Sequence, residues 1–193
     1  MNLRGVQRCL EAFAPLLKLP GGARVAVVSS GNASQFVAKC APERVAWFRA
    51  THASAEVLAE AARFEAMLSA DDGAGLTAAG YCAPGVVAYG ASKAFVTAYT
   101  QAVAAELPPL VVANSASPGF IETDLVASFL SGSGKTAAEA GALPPERSTP
   151  VFQLLLFGDL KGARGWYFGS DAQRSPVHKY RSPGSEPYDG SSD

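Results

Sequence analysis

Two apolar runs without alternation indicate strands that are buried on both faces. They are RVAVVSS at residues 24–30 and LVVAN at residues 110–114. A half-exposed strand would alternate apolar and polar residues, whereas strands of a covered parallel sheet are continuously apolar and rich in β-branched residues. The segment GWYF at residues 165–168 predicts a third, short strand. The chain is therefore expected to contribute about three strands of a parallel sheet.

The first helix is predicted over residues 3–17, where apolar residues recur at a spacing of three or four. These residues are Leu3, Val6, Leu10, Phe13 and Leu17. Proline and glycine at positions 20–22 should end this helix. The segment also contains Arg4 and Arg8 and no acid before Glu11, so a transit peptide is the alternative interpretation. The apolar stripe favours a packed helix.

Further helices are predicted over residues 41–49, 54–68, 88–106 and 146–157, with Ser54 as the N-cap of the second. Residues 71–73 and 80–85 are expected to be loops. Residues 174–193 are rich in Ser, Pro, Gly and Asp, which predicts a disordered tail after a domain over residues 1–173. Alternation of helices and strands predicts an α/β fold of the doubly wound Rossmann type.

Composition narrows the function classes. The 193 residues suit a single domain, and 17% charged residues with a net charge of −1 disfavour a nucleic-acid-binding face. No apolar run approaches the roughly 20 residues of a membrane helix. Cysteines at 9, 40 and 82 form neither a CxxC pair nor an even set, which favours free thiols and a reduced, cytoplasmic compartment. His52 and His178 are expected at the surface, and no metal site is predicted.

The candidate chemistry lies in the segment VVAYGASK at residues 86–93. Tyr89 and Lys93 are four residues apart, so on a helix they share one face. A phenol has a reference pKa of about 10, and a nearby ammonium group lowers it by favouring the phenolate. Such a pair can act as a general acid–base in interconverting a carbonyl and an alcohol. The small residues between them would let a substrate or cofactor approach closely; alone, however, YxxxK also fits a half-exposed tyrosine and a solvated lysine.

Two further patterns place polar residues where the strands end. The first strand ends in Val28-Ser29-Ser30, and the second is followed by SPGFIET at residues 117–123. Open α/β sheets build their sites at the carboxyl ends of the strands. Strand-VSS, then YxxxK, then strand-SPGxxxT resembles the C-terminal half of the short-chain dehydrogenase/reductase signature.

The chain also resembles the monomeric carbonyl reductases and the plant menthone and salutaridine reductases within this superfamily. Like them, the chain has a long helical segment between Ser30 and Tyr89, here an insertion over about residues 31–85 that includes CAPERVAWFRATHASAEVLAEAARF. PPERSTPVFQLLLF and GWYFGSDAQ resemble their C-terminal pattern. The resemblance implies NADPH-dependent reduction of a small ketone or aldehyde.

Roles follow from the resemblance residue by residue. Tyr89 matches the proton donor, Lys93 the lysine that lowers its pKa and holds the nicotinamide ribose, and Ser30 the hydroxyl that orients the carbonyl. Asn2 matches the asparagine of a proton relay. The loop beside the nicotinamide corresponds to Pro118, Gly119, Ile121 and Thr123.

The sequence departs from the family in its first half. The glycine-rich turn, the acidic or basic selector and the Asn-Asn-Ala-Gly segment of the family are absent, which suggests an N-terminally truncated member. The glycine turn anchors the cofactor pyrophosphate. The segment SGSGKT at 131–136 does not replace it, because Phe129 stands where a P-loop has glycine.

Two hypotheses follow. The chain is either an NADP(H)-dependent carbonyl reductase or a catalytically inactive remnant. In the second case the first strand would be an unpaired edge that could pair with another chain.

Overall fold

Three parallel strands form the centre of the computed structural model, which describes residues 2–17, 22–81 and 87–191. The strands are β1 (Ala23–Val28), β2 (Val111–Ala116) and β3 (Tyr167–Phe168), in the order β1-β2-β3. Val25 lies opposite Ala113 in the first pair, and Ser115 lies opposite Tyr167 in the second. The predicted α/β fold with a three-stranded parallel sheet is confirmed.

Eight α-helices surround or extend this sheet in the described residues. They are α1 (Asn2–Phe13), α2 (Gly31–Val37), α3 (Pro42–Arg49), α4 (Ser54–Ser69), α5 (Gly73–Ala78), α6 (Val87–Glu106), α7 (Asp124–Leu130) and α8 (Thr149–Phe157). Short 3-10 turns continue α1 over Ala14–Leu17 and precede α8 over Pro145–Ser148. Residues 18–21 and 82–86 lie outside the described residues. They include Pro20 and Gly21, which are expected to end the first helix, and most of the loop predicted over residues 80–85, with Cys82.

Both faces of the sheet are covered, as the apolar runs predict. Val25 and Val27 of β1 belong to the core around α6, whereas Ala26 packs into a second cluster around α8 with Val151 and Leu155. Successive strand residues point to opposite faces. Their division between two clusters explains why β1 lacks alternation.

The insertion helices pack on α6 through an aromatic cluster. Phe36 of α2, Phe48 of α3 and Phe64 of α4 are buried against Tyr81 and Phe95. The Phe48 and Phe95 ring centroids are 5.3 Å apart, and those of Phe64 and Tyr81 are 4.8 Å apart. Residues 31–81 are thereby joined to the helix that carries Tyr89 and Lys93.

Two local predictions are wrong, and one helix was not predicted. Residue 53, not Ser54, precedes α4, and the Ser54 backbone N–H donates to Glu106 Oε1 at 2.7 Å. The loop predicted at 71–73 contains the start of α5, because Asp72 accepts a hydrogen bond from the Gly75 N–H at 2.7 Å. Helix α2 has no counterpart in the predictions, since its seven residues are too few to show a helical period.

Residues 174–191, whose composition predicts a disordered tail, make specific contacts in the structure. Ser34 Oγ donates to Pro176 O at 2.9 Å, with both residues buried. The Arg181 guanidinium forms an ion pair with Asp171, whose other oxygen accepts from the Gly184 N–H at 2.8 Å. These polar contacts can order a segment that has few apolar residues, which composition alone does not reveal.

Two further features of the described residues bear on function. None of the helices is long and apolar enough to cross a membrane, and no group of three His, Cys, Asp or Glu side chains could hold a metal ion. His52 stacks on Trp47 with ring centroids 4.3 Å apart and is hydrogen-bonded to its carbonyl. This histidine therefore has a structural role at the start of α4.

Candidate active site

The first wall of the site is the end of β1, where the chain turns directly into α2. Ser29 is buried, and its hydroxyl lies 2.6 Å from Thr97 Oγ1 and donates to Lys93 O. Ser30 has extended backbone geometry, and its Oγ accepts from the Asn32 N–H at 3.2 Å as the N-cap of α2. Ser29 thus attaches the strand to α6, whereas Ser30 caps α2; both residues line the cavity described below.

Tyr89 and Lys93 stand one turn apart on α6, as their spacing predicts. Lys93 Nζ donates to Val28 O at 2.8 Å and lies 6.0 Å from the centre of the Tyr89 ring. Burial lowers the pKa of Lys93 below its ordinary value, because it penalises the charged form. The Tyr89 ring is half-buried and lies 6.0 Å from Phe129 of α7, in an edge-to-face arrangement.

The small residues between Tyr89 and Lys93 serve helix packing rather than substrate approach. A Cβ atom on Gly90 would lie 2.9 Å from Asn32 O and 3.0 Å from Phe36 Cβ, so glycine permits α2 to cross closely here. Ala91 is fully buried in the core. Ser92 Oγ donates to Tyr89 O at 2.7 Å. This corrects the expectation that these residues leave room for a ligand.

Asn2 lies outside the cavity that contains the other predicted residues. Its Nδ2 donates to Ser92 Oγ at 2.9 Å, which ties the start of α1 to α6 next to Tyr89. The Asn2 side chain therefore contacts Ser92, whose hydroxyl bonds to the Tyr89 backbone, and does not itself line the cavity.

The loop after β2 forms the second wall. Ser117 Oγ accepts from the N–H groups of Gly31 and Gly119, at 3.1 and 3.3 Å, and so joins the two strand ends. Gly119 has a φ of +94°, and a Cβ there would lie 3.1 Å from Ser170 Cβ. Thr123 Oγ1 accepts from the Val126 N–H at 3.4 Å and caps α7. Ile121 is buried and pairs with Leu143.

These elements enclose one cavity of about 730 Å³. Seven of the eight predicted site residues line this cavity, and the eighth, Asn2, does not. The seven are Ser30, Tyr89, Lys93, Pro118, Gly119, Ile121 and Thr123. Its described lining includes the cations Lys93, Arg147 and Arg181 and no Asp or Glu. The cavity therefore combines a phenol, an ammonium group and a hydroxyl with the cation Arg147, while the charge of Arg181 is compensated by Asp171.

The structure also adds residues that the sequence patterns missed. Tyr180, Arg181 and Pro183 of the tail line the cavity, as does Phe129. Tyr180 packs on Gly31, where a Cβ atom would lie 2.8 Å from its ring. The sequence gives only a weak indication that the tail contributes to the site, namely the aromatic residues within its Pro- and Ser-rich segment.

The geometry fits one end of a nicotinamide nucleotide. The Lys93 ammonium group has three donors, of which one bonds to Val28 O, so others can reach ribose hydroxyls. The positive φ of Gly119 turns the loop backbone beside Ser117 and Ser170 at the cavity wall.

Comparison with known proteins agrees with this geometry. The family model described as short chain dehydrogenase matches residues 75–133, the segment from α5 through α7 that contains Tyr89, Lys93 and the 117–123 loop. This match covers less than a third of the chain and is a similarity to that family over this segment. No curated protein gives a significant match.

The structure of salutaridine reductase from Papaver somniferum has the same fold. It aligns with a TM-score of 0.58 and 24% sequence identity over 87% of this chain. The aligned part is 52% of the salutaridine reductase chain, so this chain spans about half its length. At this identity the likeness concerns the fold.

Proposed function

We propose that the chain is a carbonyl-reductase-like oxidoreductase that reduces a small ketone or aldehyde to an alcohol with NADPH. The observation that carries the proposal is the convergence of Tyr89, Lys93 and Ser30 with the 118–123 loop on one cavity. The similarity of residues 75–133 to the short-chain dehydrogenase family model supports an oxidoreductase acting on carbonyl or alcohol groups. Preference for NADPH over NADH rests on the sequence resemblance to carbonyl reductases.

Each residue has a defined task in this proposal. The bound nicotinamide would supply a hydride to the carbonyl carbon. Tyr89 would donate its phenolic proton to the carbonyl oxygen, while the Lys93 ammonium group stabilises the resulting phenolate. Ser30 would orient the carbonyl by donating a hydrogen bond. Asn2 would act as a positioning residue through Ser92, whose hydroxyl bonds to the Tyr89 backbone.

The cofactor would be held at its nicotinamide end. Lys93 would donate to the ribose hydroxyls, and Pro118, Gly119, Ile121 and Thr123 would form the wall beside the ring. Arg147 in the lining is suited to a phosphate of a dinucleotide, whereas Arg181 is paired with Asp171.

The test compares the full chain with its Tyr89→Phe variant, which removes one oxygen atom. NADPH oxidation is followed at 340 nm with aromatic aldehydes and ketones, and NADPH and NADH binding are measured by calorimetry. Loss of a positioned general acid should lower kcat by about 10²–10⁴-fold. Equal rates for both proteins would contradict the role of Tyr89.

The pH profile provides an independent check. Because burial lowers the pKa of Lys93, its charge should be lost at a lower pH than that of an ordinary lysine. The rate of reduction should therefore fall as pH rises through this lowered pKa.

A second candidate is a catalytically inactive chain that binds another protein through β1. Within the described residues β1 pairs only with β2, and Val28 is 48% exposed. A free strand edge is a template for pairing with another chain. Absence of NADPH binding at millimolar concentration, together with concentration-dependent self-association, would favour this candidate over the reductase.

A further inference from the structure

A second cavity of about 450 Å³ lies beside the C-terminal half of α6. Four segments line it: the region of Arg49 and Thr51, the region of Gln101 to Ala105, residues 164–167 and the tail from 174 to 190. Its volume falls within the range of roughly 300–1,000 Å³ typical of small-molecule sites. We call it the basic cavity.

Three guanidinium groups give the basic cavity its charge. They belong to Arg49, Arg164 and Arg174, and no Asp or Glu is among its described lining residues. The nearby Asp189 carboxylate accepts a hydrogen bond from the Ser191 N–H at 2.7 Å and also interacts with the charge of Arg174, which leaves Arg49 and Arg164 as the cations without a carboxylate beside them in the described lining. A cleft lined by one sign of charge attracts ligands of the opposite sign.

Two of these guanidinium groups are held in place by the fold. Arg164 donates to Ala104 O and Leu107 O at the end of α6, where helix carbonyls lack partners. Arg174 lies 4.0 Å above the centre of the Trp166 ring and donates to Asp189 O at 3.1 Å. The two cations are therefore ordered before any ligand arrives, which reduces the entropy cost of binding.

Most of the donors remain available to a ligand. A guanidinium group has five N–H donors. Arg164 uses two of them and Arg174 one, while Arg49 has no hydrogen-bond or ion-pair partner among the described residues. Gln101 donates to Thr51 Oγ1 at 2.9 Å, which places further polar groups at the same wall.

We propose that the basic cavity binds the phosphate group of a small phosphorylated molecule. Arginine is well suited to phosphate because its planar fork donates two parallel hydrogen bonds. Three guanidinium groups from three separate segments match the three terminal oxygens of a phosphate ester better than the two oxygens of a carboxylate. The exposed part of the cavity, bordered by Tyr188, leaves space for the rest of the molecule.

This site does not depend on the proposed reductase activity. The basic cavity shares only Tyr167 and Ser175 with the cavity that contains Tyr89, and those two residues form a wall between them. Replacement of Tyr89 by Phe should lower the rate of reduction by about 10²–10⁴-fold and leave phosphate binding unchanged. Failure of one proposal is thus distinguishable from failure of the other.

The experiment is calorimetric titration of the full chain with inorganic phosphate, with malonate and chloride as comparisons at constant ionic strength. We expect saturable one-to-one phosphate binding with a Kd of about 1 mM or tighter, and malonate binding at least about tenfold weaker. Phosphate binding that does not saturate, or malonate binding as tightly as phosphate, would overturn the proposal.

Variants locate the bound phosphate. Arg49→Gln should weaken phosphate binding by about tenfold or more, since a charged hydrogen bond contributes about 1.5–3 kcal/mol. Arg8→Gln is the matched control: it makes the same charge change at an exposed position of α1 and should not alter binding. Equal affinities of these two variants would place the phosphate elsewhere and refute the site.

Discussion

Gly90 offers a sharp test of how α2 is held against the helix that carries Tyr89. A methyl group at this position would meet Asn32 O at 2.9 Å and Phe36 Cβ at 3.0 Å. Both atoms belong to α2 near its backbone, so neither can rotate away as the end of a flexible side chain could. Gly90→Ala should therefore force α2 and α6 apart.

The size of the effect is a balance of two terms. Alanine is favoured over glycine in a helix interior by about 1 kcal/mol. Overpacking a close contact costs about 1–3 kcal/mol. Because two atoms are approached at once, we expect the second term to exceed the first and the free energy of unfolding to fall by about 1 kcal/mol. For a chain of this length that corresponds to a Tm lower by about 2–4 °C.

Gly5→Ala is the matched control. Gly5 also lies within a helix, α1, but a Cβ atom there would have nothing within 4 Å. Only the propensity term applies, so this variant should gain up to about 1 kcal/mol. Both are measured by thermal unfolding of the full chain, followed by circular dichroism. Stabilisation of equal size by both substitutions would show that α2 does not pack closely at Gly90.

Two further variants test the insertion and the tail. Phe48→Ala should lower the free energy of unfolding in urea by about 3–5 kcal/mol, because Phe48 is 2% exposed and packs on Phe95; a loss below about 1 kcal/mol would contradict this packing. Asp171→Asn should release the turn around Arg181 and accelerate tryptic cleavage there, and an unchanged cleavage rate would argue against the ion pair. Burial would raise the pKa of Asp171, but hydrogen bonds from Arg181, Gly184 and Gln173 lower it overall. Its stabilising effect should thus be present above the ordinary carboxyl pKa and be lost as pH falls through the lowered one.

The site chemistry was accessible from sequence because it depends on local patterns. Tyr89 and Lys93 share a helix face through their spacing alone, and Ser30 and Gly119 follow strands whose carboxyl ends meet at one edge of a parallel sheet. The strands were equally recognisable, because Val25, Ala26 and Val27 of β1 pack into clusters on both faces of the sheet, although Arg24 and Val28 at its ends are exposed.

Contacts between distant segments could not be predicted in this way. The close crossing of α2 at Gly90, the bond from Asn2 to Ser92 and the packing of Tyr180 on Gly31 each join residues far apart in the chain. The periodicity of the sequence does not predict such contacts, because they form only when the helices and strands pack against each other. The sequence by itself therefore determined the strands and the placement of Tyr89 and Lys93 on one helix face, whereas tertiary packing decided the use of the small residues and the walls of both cavities.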